Sequence, residues 1–374
     1  MINMHLHCRD EEQAYKETIK HALHFAYRIG SSTISDVGNL DNAVITEERV
    51  LRRFELAEQA DEPIFYGTYI LLTPDSEQVG KAAETHMKYF PKKGDRVGVV
   101  GLKMFAGKSV GNTSVVKEDE QRLVYRVLAG KNYRGVLAVH CEKESLMRPD
   151  LWDPMNPASH LEARPRECEI ESVKDQIKFA REAGFAVGKG KGHLHIFHVS
   201  VPESVYLVNE AKSGGMSISC GVTPHHCLLD VSYMNLKVYS WEDAISRKVN
   251  PPLRLPGDAE GVRDCLLSRK INVIEEDHAP HSLDEKTGKA FDAKGNPQYL
   301  SGFPTLSFVP HFINFLRRRK MSEDAIIALT HRNIEEILQI RHLELPIRDV
   351  EPDYNLHEEY QVDVYRGVRE RLGK

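Results

Sequence analysis

The sequence predicts an α/β chain folded as a (β/α)8 TIM-type barrel with little or no accessory β-sandwich, and three observations carry this. Eight short β-branched or apolar runs recur along the chain, amphipathic helix-length stretches separate them, and three long polar connections follow the C-terminal ends of predicted strands. Strands that alternate with helices in this way build right-handed βαβ units and a parallel sheet. Eight such units suit a closed barrel better than an open sheet.

The first predicted strand, Ile2–His7, leads into a helix over Glu11–Ile29. Ser32–Val37 is followed by a helix at Glu47–Ala60, Ile64–Leu71 by Glu77–Phe90, and Val97–Met104 by Lys117–Ala129. Val136–Cys141 precedes Glu167–Ala183, His193–Val199 precedes Glu203–Ala211, and Met216–Val222 precedes Ala259–Ser268. Ile271–Asp277 is the eighth strand, with helices Phe303–Arg319 and Glu323–Ile340 after it. The three long connections are Met147–Arg166, Thr223–Leu255 with Pro224, Pro251 and Pro252, and Asp284–Ser301. All lie where a barrel builds its active site. The barrel is expected over residues 1–340, with 341–374 as a charged C-terminal extension of unassigned structure.

Composition narrows the class. The 374 residues carry 50 basic and 55 acidic side chains, a net charge of −5, which leaves no electrostatic footprint for nucleic acid or a membrane surface. A hydrophobic share of 41% and a charged share of 28% are ordinary for a globular chain. No apolar run approaches the roughly 18 residues of a membrane span. The opening MINMHLHCRDEE lacks the charged and apolar regions of a signal peptide. Six cysteines, none in a Cys-x-x-Cys pair, are too sparse for a disulfide scaffold and suggest a reducing, cytoplasmic setting. Eighteen histidines, several in pairs or beside carboxylates, point towards metal chemistry.

His5-Leu6-His7 comes first. Side chains alternate along a strand, so His5 and His7 share a face and make half of a divalent-metal site. Other strand ends add Lys103, His140, His198 and Asp277, each where a strand meets its C-terminal loop. A lysine at the end of a buried strand is costly unless paired or modified. Its neutral amine can add carbon dioxide, and the resulting carbamate has two anionic oxygens able to bridge two metals. Taken singly, each residue has a structural explanation; six at the ends of strands 1, 4, 5, 6 and 8 are better explained by a site. His193 and His195 have opposite parity to His198 and are expected to face away from it. His225 and His226 receive no ligand role, Cys8 and Cys141 are read as small buried hydrophobes, and Arg317–Lys320 as a solvated helix end.

This arrangement resembles the amidohydrolase superfamily, and within it the dihydroorotase family, from about Ile2 to Ile340. The pieces that carry the resemblance are His5-Leu-His7-Cys-Arg9-Asp10, Gly101-Leu-Lys103, His195-Ile-Phe-His198-Val-Ser, Val222-Thr-Pro-His-His226, Asn250-Pro-Pro-Leu-Arg254 and Asp277-His-Ala-Pro-His281. The resemblance implies two zinc ions. His5, His7 and Asp277 would hold one, His140 and His198 the other, and carboxylated Lys103 would bridge both. It implies a metal-bridging hydroxide as nucleophile and Asp277 as catalytic acid–base. Arg9, with Asn39 and His281, would grip a substrate carboxylate, and Asn250 would touch the pyrimidine ring. The activity implied is the reversible cyclisation of N-carbamoyl-L-aspartate to L-dihydroorotate by a cytoplasmic homo-oligomer, a dimer, acting on a small carboxylate substrate.

Departures from the family pattern are few. Asn3 stands where many relatives have an aspartate that is not a ligand. Glu275-Glu276 replaces small residues before Asp277 and is expected to perturb its proton affinity or the metal affinity. Asp36-Val-Gly-Asn39 is a loose version of the family loop. The chain opens on the first barrel strand, and the tail after Ile340 lacks a β pattern, as in the compact bacterial type. Two rival readings are another cyclic amidase, hydantoinase- or allantoinase-like, and a catalytically silent scaffold subunit. Arg9 and His281 oppose the first, and the full set of six ligand candidates opposes the second.

Overall fold

The computed structural model describes residues 1–109, 113–188, 190–348 and 355–372. Its strands are β1 (Ile2–Leu6), β2 (Thr33–Val37), β3 (Phe65–Leu71), β4 (Val97–Phe105), β5 (Val136–His140), β6 (His193–Ile196), β7 (Ile218–Val222) and β8 (Val273–Ile274). They form one sheet in sequence order, each parallel to the next. The sheet curls until its two edges meet. Leu6 forms a parallel bridge with His278, just past β8, and the His7 amide donates to the His278 carbonyl at 2.8 Å. The expected (β/α)8 architecture is the observed one, and every named strand among the described residues belongs to this sheet.

Alternation sorts the strand residues into two apolar clusters. Ile34, Ile70, Leu102, Leu137 and Ile196 pack outward with helix residues such as Leu23, Phe54, Val79, Val124 and Ile177. Val37, Tyr69, Phe105, Ala138 and Phe197 form the inner cluster. Ile334, Ile337 and Leu338 join the inner cluster at the N-terminal ends of the strands, where Asn333 donates to the Asn272 carbonyl and Gln339 to that of Arg134. One end of the barrel is thus plugged with aliphatic side chains, and the polar residues collect at the other. Thr18, Thr46 and Asp75 cap the helices that follow them, each accepting a backbone N–H.

Three expectations change in detail. The first helix begins at Ile19, not Glu11, because the Asp10 carboxylate accepts from the amides of both Glu11 and Ile19 and ties off a 3-10 turn, Glu11–Gln13. The stretch expected as one helix, Glu323–Ile340, is broken by a π-helical turn, Ala328–Arg332. Strands β6 and β8 stop early, and just past their ends His198 (φ 38°) and Asp277 (φ 44°) adopt left-handed backbone. That conformation costs a non-glycine residue about 1–3 kcal/mol and persists where surrounding structure enforces it.

The tail, unassigned from sequence, docks back on the barrel. Val362, Val364, Tyr365 and Val368 are buried in the outer core, and Tyr365 stacks on Phe308 with ring centroids 3.9 Å apart. Among the described residues, no helix is long and apolar enough to cross a membrane.

Candidate metal centre

The ligand candidates converge where the strands end. His5 lies in β1 and His7 just beyond it. Ligand atoms of His5, His7 and Asp277 all lie within 4.8 Å of one another, and all three residues are buried. Asp277 Oδ1 is 3.2 Å from His7 Nε2 and 3.5 Å from His5 Nε2. The opposite ring nitrogens are tied down. His7 Nδ1 faces two acceptors, the Val37 carbonyl at 2.9 Å and Asn39 Oδ1 at 2.7 Å, so it carries the proton and Nε2 keeps its lone pair. His5 Nδ1 lies 3.3 Å from Glu275 Oε2, while its Nε2 has no hydrogen-bond partner.

Electrostatics suit these groups to binding a cation. Burial lowers the pKa of His5 to about 4, which keeps its imidazole neutral at physiological pH. Burial alone would raise the pKa of Asp277, but the surrounding His5, His7 and His198 hold its carboxyl well below the usual range. It is therefore an ionised carboxylate facing His5 and His7.

The second half of the centre adjoins the first, with the His5 and His198 ring centroids 5.3 Å apart. His140, at the end of β5, has its Nε2 2.9 Å from Glu142 Oε2, and the Arg164 Nη2 donates to that oxygen at 2.6 Å. His140 Nδ1 then faces His198 Nε2 at 3.2 Å. Two nitrogens on one tetrahedral zinc, each at about 2.0–2.1 Å, would lie about 3.3 Å apart. Lys103 in β4 is fully buried, and its Nζ has no hydrogen-bond acceptor. It sits 4.1 Å and 4.7 Å from the ring centroids of Phe197 and Phe105. Burial lowers its pKa to about 7, so a large fraction of the amine is neutral and nucleophilic near neutral pH.

The residues present fit a pair of divalent ions. Four imidazoles, one ionised carboxylate and one amine that is easily deprotonated surround the same space. His5 Nε2 and Lys103 Nζ are orphaned there without a hydrogen bond. Buried polar atoms are otherwise nearly always satisfied, and this donor set matches zinc.

Arg9, at φ 32°, reaches over this centre. Its Nη1 donates to Asn39 Oδ1 at 3.3 Å and its Nε to the Pro280 carbonyl at 3.2 Å, while Nη2 is 3.1 Å from His281 Nε2. His281 also touches the Ser301 carbonyl at 3.1 Å. Arg9, Asn39 and Asn250 line one small cleft with His5, His7, His140, His198 and Asp277; His281 stands behind Arg9 and does not line it. Asn250 Oδ1 is 2.9 Å from His160 Nε2.

The parity argument for β6 needs correcting. His193, His195 and Phe197 are the inward residues: both histidines reach Ser219 Oγ, and Phe197 stacks on His5 at 4.0 Å. His198 enters the site only because its backbone turns left-handed after the strand ends. The other structural readings hold. Cys8 and Cys141 are buried and free, His225 and His226 bond to Tyr365 and to Thr223, and Arg317 pairs with Glu323 on the surface. Sequence reasoning missed Glu142, whose position two residues after His140 was the available signal, and it missed that Glu275 contacts a ligand.

No protein-family model matches the chain. It is 28% identical over 333 residues to the dihydroorotase of Staphylococcus epidermidis, covering 87% of this chain and 69% of that one. It is 26% identical over 349 residues to the dihydroorotase of Fusobacterium nucleatum, covering 91% and 72%. To the dihydroorotase of Ligilactobacillus salivarius it is 29% identical over 294 residues, covering 78% and 62%. In sequence the chain is thus similar to several bacterial dihydroorotases. Its fold is similar to that of L-hydantoinase from Arthrobacter aurescens, with a TM-score of 0.75 at 18% identity over 91% of this chain and 70% of that one. It is similar too to dihydroorotase from Saccharomyces cerevisiae, solved with 5-fluoroorotic acid, with a TM-score of 0.69 at 14% identity over 92% and 85%. The chain spans between 62% and 72% of the length of those curated bacterial proteins.

Proposed function

We propose that this chain is a hydrolase of cyclic amides, a zinc-dependent dihydroorotase that interconverts N-carbamoyl-L-aspartate and L-dihydroorotate in pyrimidine synthesis. The observation that carries the reading is a metal-competent cluster of His5, His7 and Asp277 with an arginine fork beside it. His5, His7 and Asp277 would hold one ion, and His140 and His198 the other, with Lys103, once carboxylated, between them. Bound there, two divalent ions supply Lewis acidity and lower the pKa of a water at the site.

The chain's own residues divide the remaining work. Asp277 Oδ1 faces the His7 and His5 Nε2 atoms at 3.2 Å and 3.5 Å, and its other oxygen, Oδ2, would take the proton of the attacking water and return it to the ring nitrogen. Neighbouring histidines keep that carboxyl ionised, as a base requires. Arg9 presents a planar fork suited to a carboxylate, preset by Asn39 and Pro280. Asn250 would contact the ring amide from the far side of the cleft. The six free, buried thiols fit a reducing, cytoplasmic setting.

The hydantoinase-like folds favour a second reading, a cyclic amidase whose substrate lacks a carboxylate. Ring opening of L-dihydroorotate, hydantoin and allantoin by the zinc-supplemented protein separates the two. Turnover of dihydroorotate alone is expected. Turnover of only the other rings would keep the metal centre and overturn the specificity. No turnover with two zinc ions bound would favour a silent scaffold subunit.

A further inference from the structure

Glu275 lies two residues before Asp277, fully buried inside the barrel beneath the site. Its two oxygens have different tasks. Oε2 is 3.3 Å from His5 Nδ1, and Oε1 accepts the backbone N–H of His198 at 3.0 Å. That amide has no strand partner, because β6 has ended and His198 is left-handed (φ 38°). On its far side Oε1 lies 3.5 Å from His195 Nε2, and Ser219 Oγ holds the other nitrogen of that ring at 2.7 Å. The barrel makes room for the carboxylate at Gly221, where a Cβ would fall 1.7 Å from Oε1. One side chain therefore touches one ligand candidate from each half of the centre: His5 through its ring and His198 through its backbone.

We propose that Glu275 is a positioning residue shared by the two metal sites, and this rests on the metal reading above. Accepting from His5 Nδ1 leaves Nε2 as the lone pair for the metal and raises its basicity. Accepting from the His198 amide holds the strained turn that aims that imidazole at His140. A carboxylate can do both at once. A glutamine of the same size has a single acceptor oxygen, so either His5 or the His198 amide would face its NH2 group.

Glu275→Gln tests the idea, with zinc affinity measured by chelator competition and the visible spectrum of the cobalt-substituted protein read alongside turnover. The expected result is unchanged circular dichroism and zinc affinity weaker by about 10- to 100-fold. The cobalt spectrum should change, and kcat should fall while KM for dihydroorotate stays put, because Arg9 and Asn39 are untouched. A variant with wild-type zinc affinity and an unchanged cobalt spectrum would overturn the positioning role alone. A wild-type chain that takes up no metal would overturn the metal reading and this proposal with it. Should Glu275→Gln fail to fold, Glu275→Asp serves instead. It keeps the charge but is one methylene too short to span His5 and the His198 amide, and the same loss is expected.

Discussion

The two halves of the centre are built differently. In the first, His5, His7 and Asp277 already face one another, and each imidazole has its second nitrogen held by an acceptor. In the second, His140 is held through Glu142 and Arg164, but Lys103 Nζ and His198 Nδ1 have no partner. The first half is preorganised by hydrogen bonds, which need no metal. The second contains a buried amine, which on the proposed reading would become a good ligand only once its nitrogen is carboxylated.

The largest expected effect falls on the first half. Asp277→Ala should lower turnover by at least about a thousandfold, since it removes a general acid–base and a ligand together. Circular dichroism should show the fold intact, and retained activity would remove Asp277 from the mechanism. Lys103→Met should likewise abolish turnover and one equivalent of bound zinc, yet make the metal-free chain more stable. The sign follows from proton binding: burial lowers the pKa of Lys103 to about 7 from its ordinary 10.5. Between those values the unfolded chain binds the extra proton, so this residue makes stability rise with pH across that window and costs most below it. Thermal melts at pH 7 and pH 10 should show a gain for Lys103→Met that shrinks at the higher pH. A constant difference would contradict the shift.

Glu142→Gln probes how the second half is held and should cost about 10- to 100-fold in zinc affinity or kcat. An unaffected variant would leave Arg164 without a role at the centre. Arg9→Met tests recognition apart from either metal half. KM for dihydroorotate should rise about tenfold or more with little change in zinc content, since a hydrogen bond to a charged group is worth about 1.5–3 kcal/mol. The smallest effect lies away from both halves, at the docked tail. His21 bonds to Glu17 and Glu359, and the Glu17 contact raises its pKa to about 9. That contribution is fully present below pH 6.5 and is lost as pH rises through 9. Melting temperatures of wild type and His21→Gln should therefore converge at alkaline pH, and parallel curves would exclude this tie.

Much of the fold was legible. Eight apolar runs at βαβ spacing became eight parallel strands in order, with errors mainly at their ends. The largest errors at C-terminal ends, in β6 and β8, fall beside His198 and Asp277, which take left-handed backbone, because local pattern carries no signal for strain that distant contacts enforce. The six ligand candidates were legible as residue types at strand ends. Their orientation was not, and the parity of β6 misled for the same reason. The tail stayed unassigned because Val362, Val364, Tyr365 and Val368 follow neither a strict helical nor a strict strand period. They are buried by contact with the barrel, not by an amphipathic face of their own.

Chain order by itself determined the barrel, its polar end and the inventory of metal-competent residues, because alternation and residue identity are local properties. Only the tertiary structure decided which lone pair each histidine offers. His7 is oriented by Val37 and Asn39, 30 and 32 residues away, and His5 by Glu275, 270 residues away. A tautomer is set by the acceptor across the ring, and closing the barrel is what brings that acceptor there.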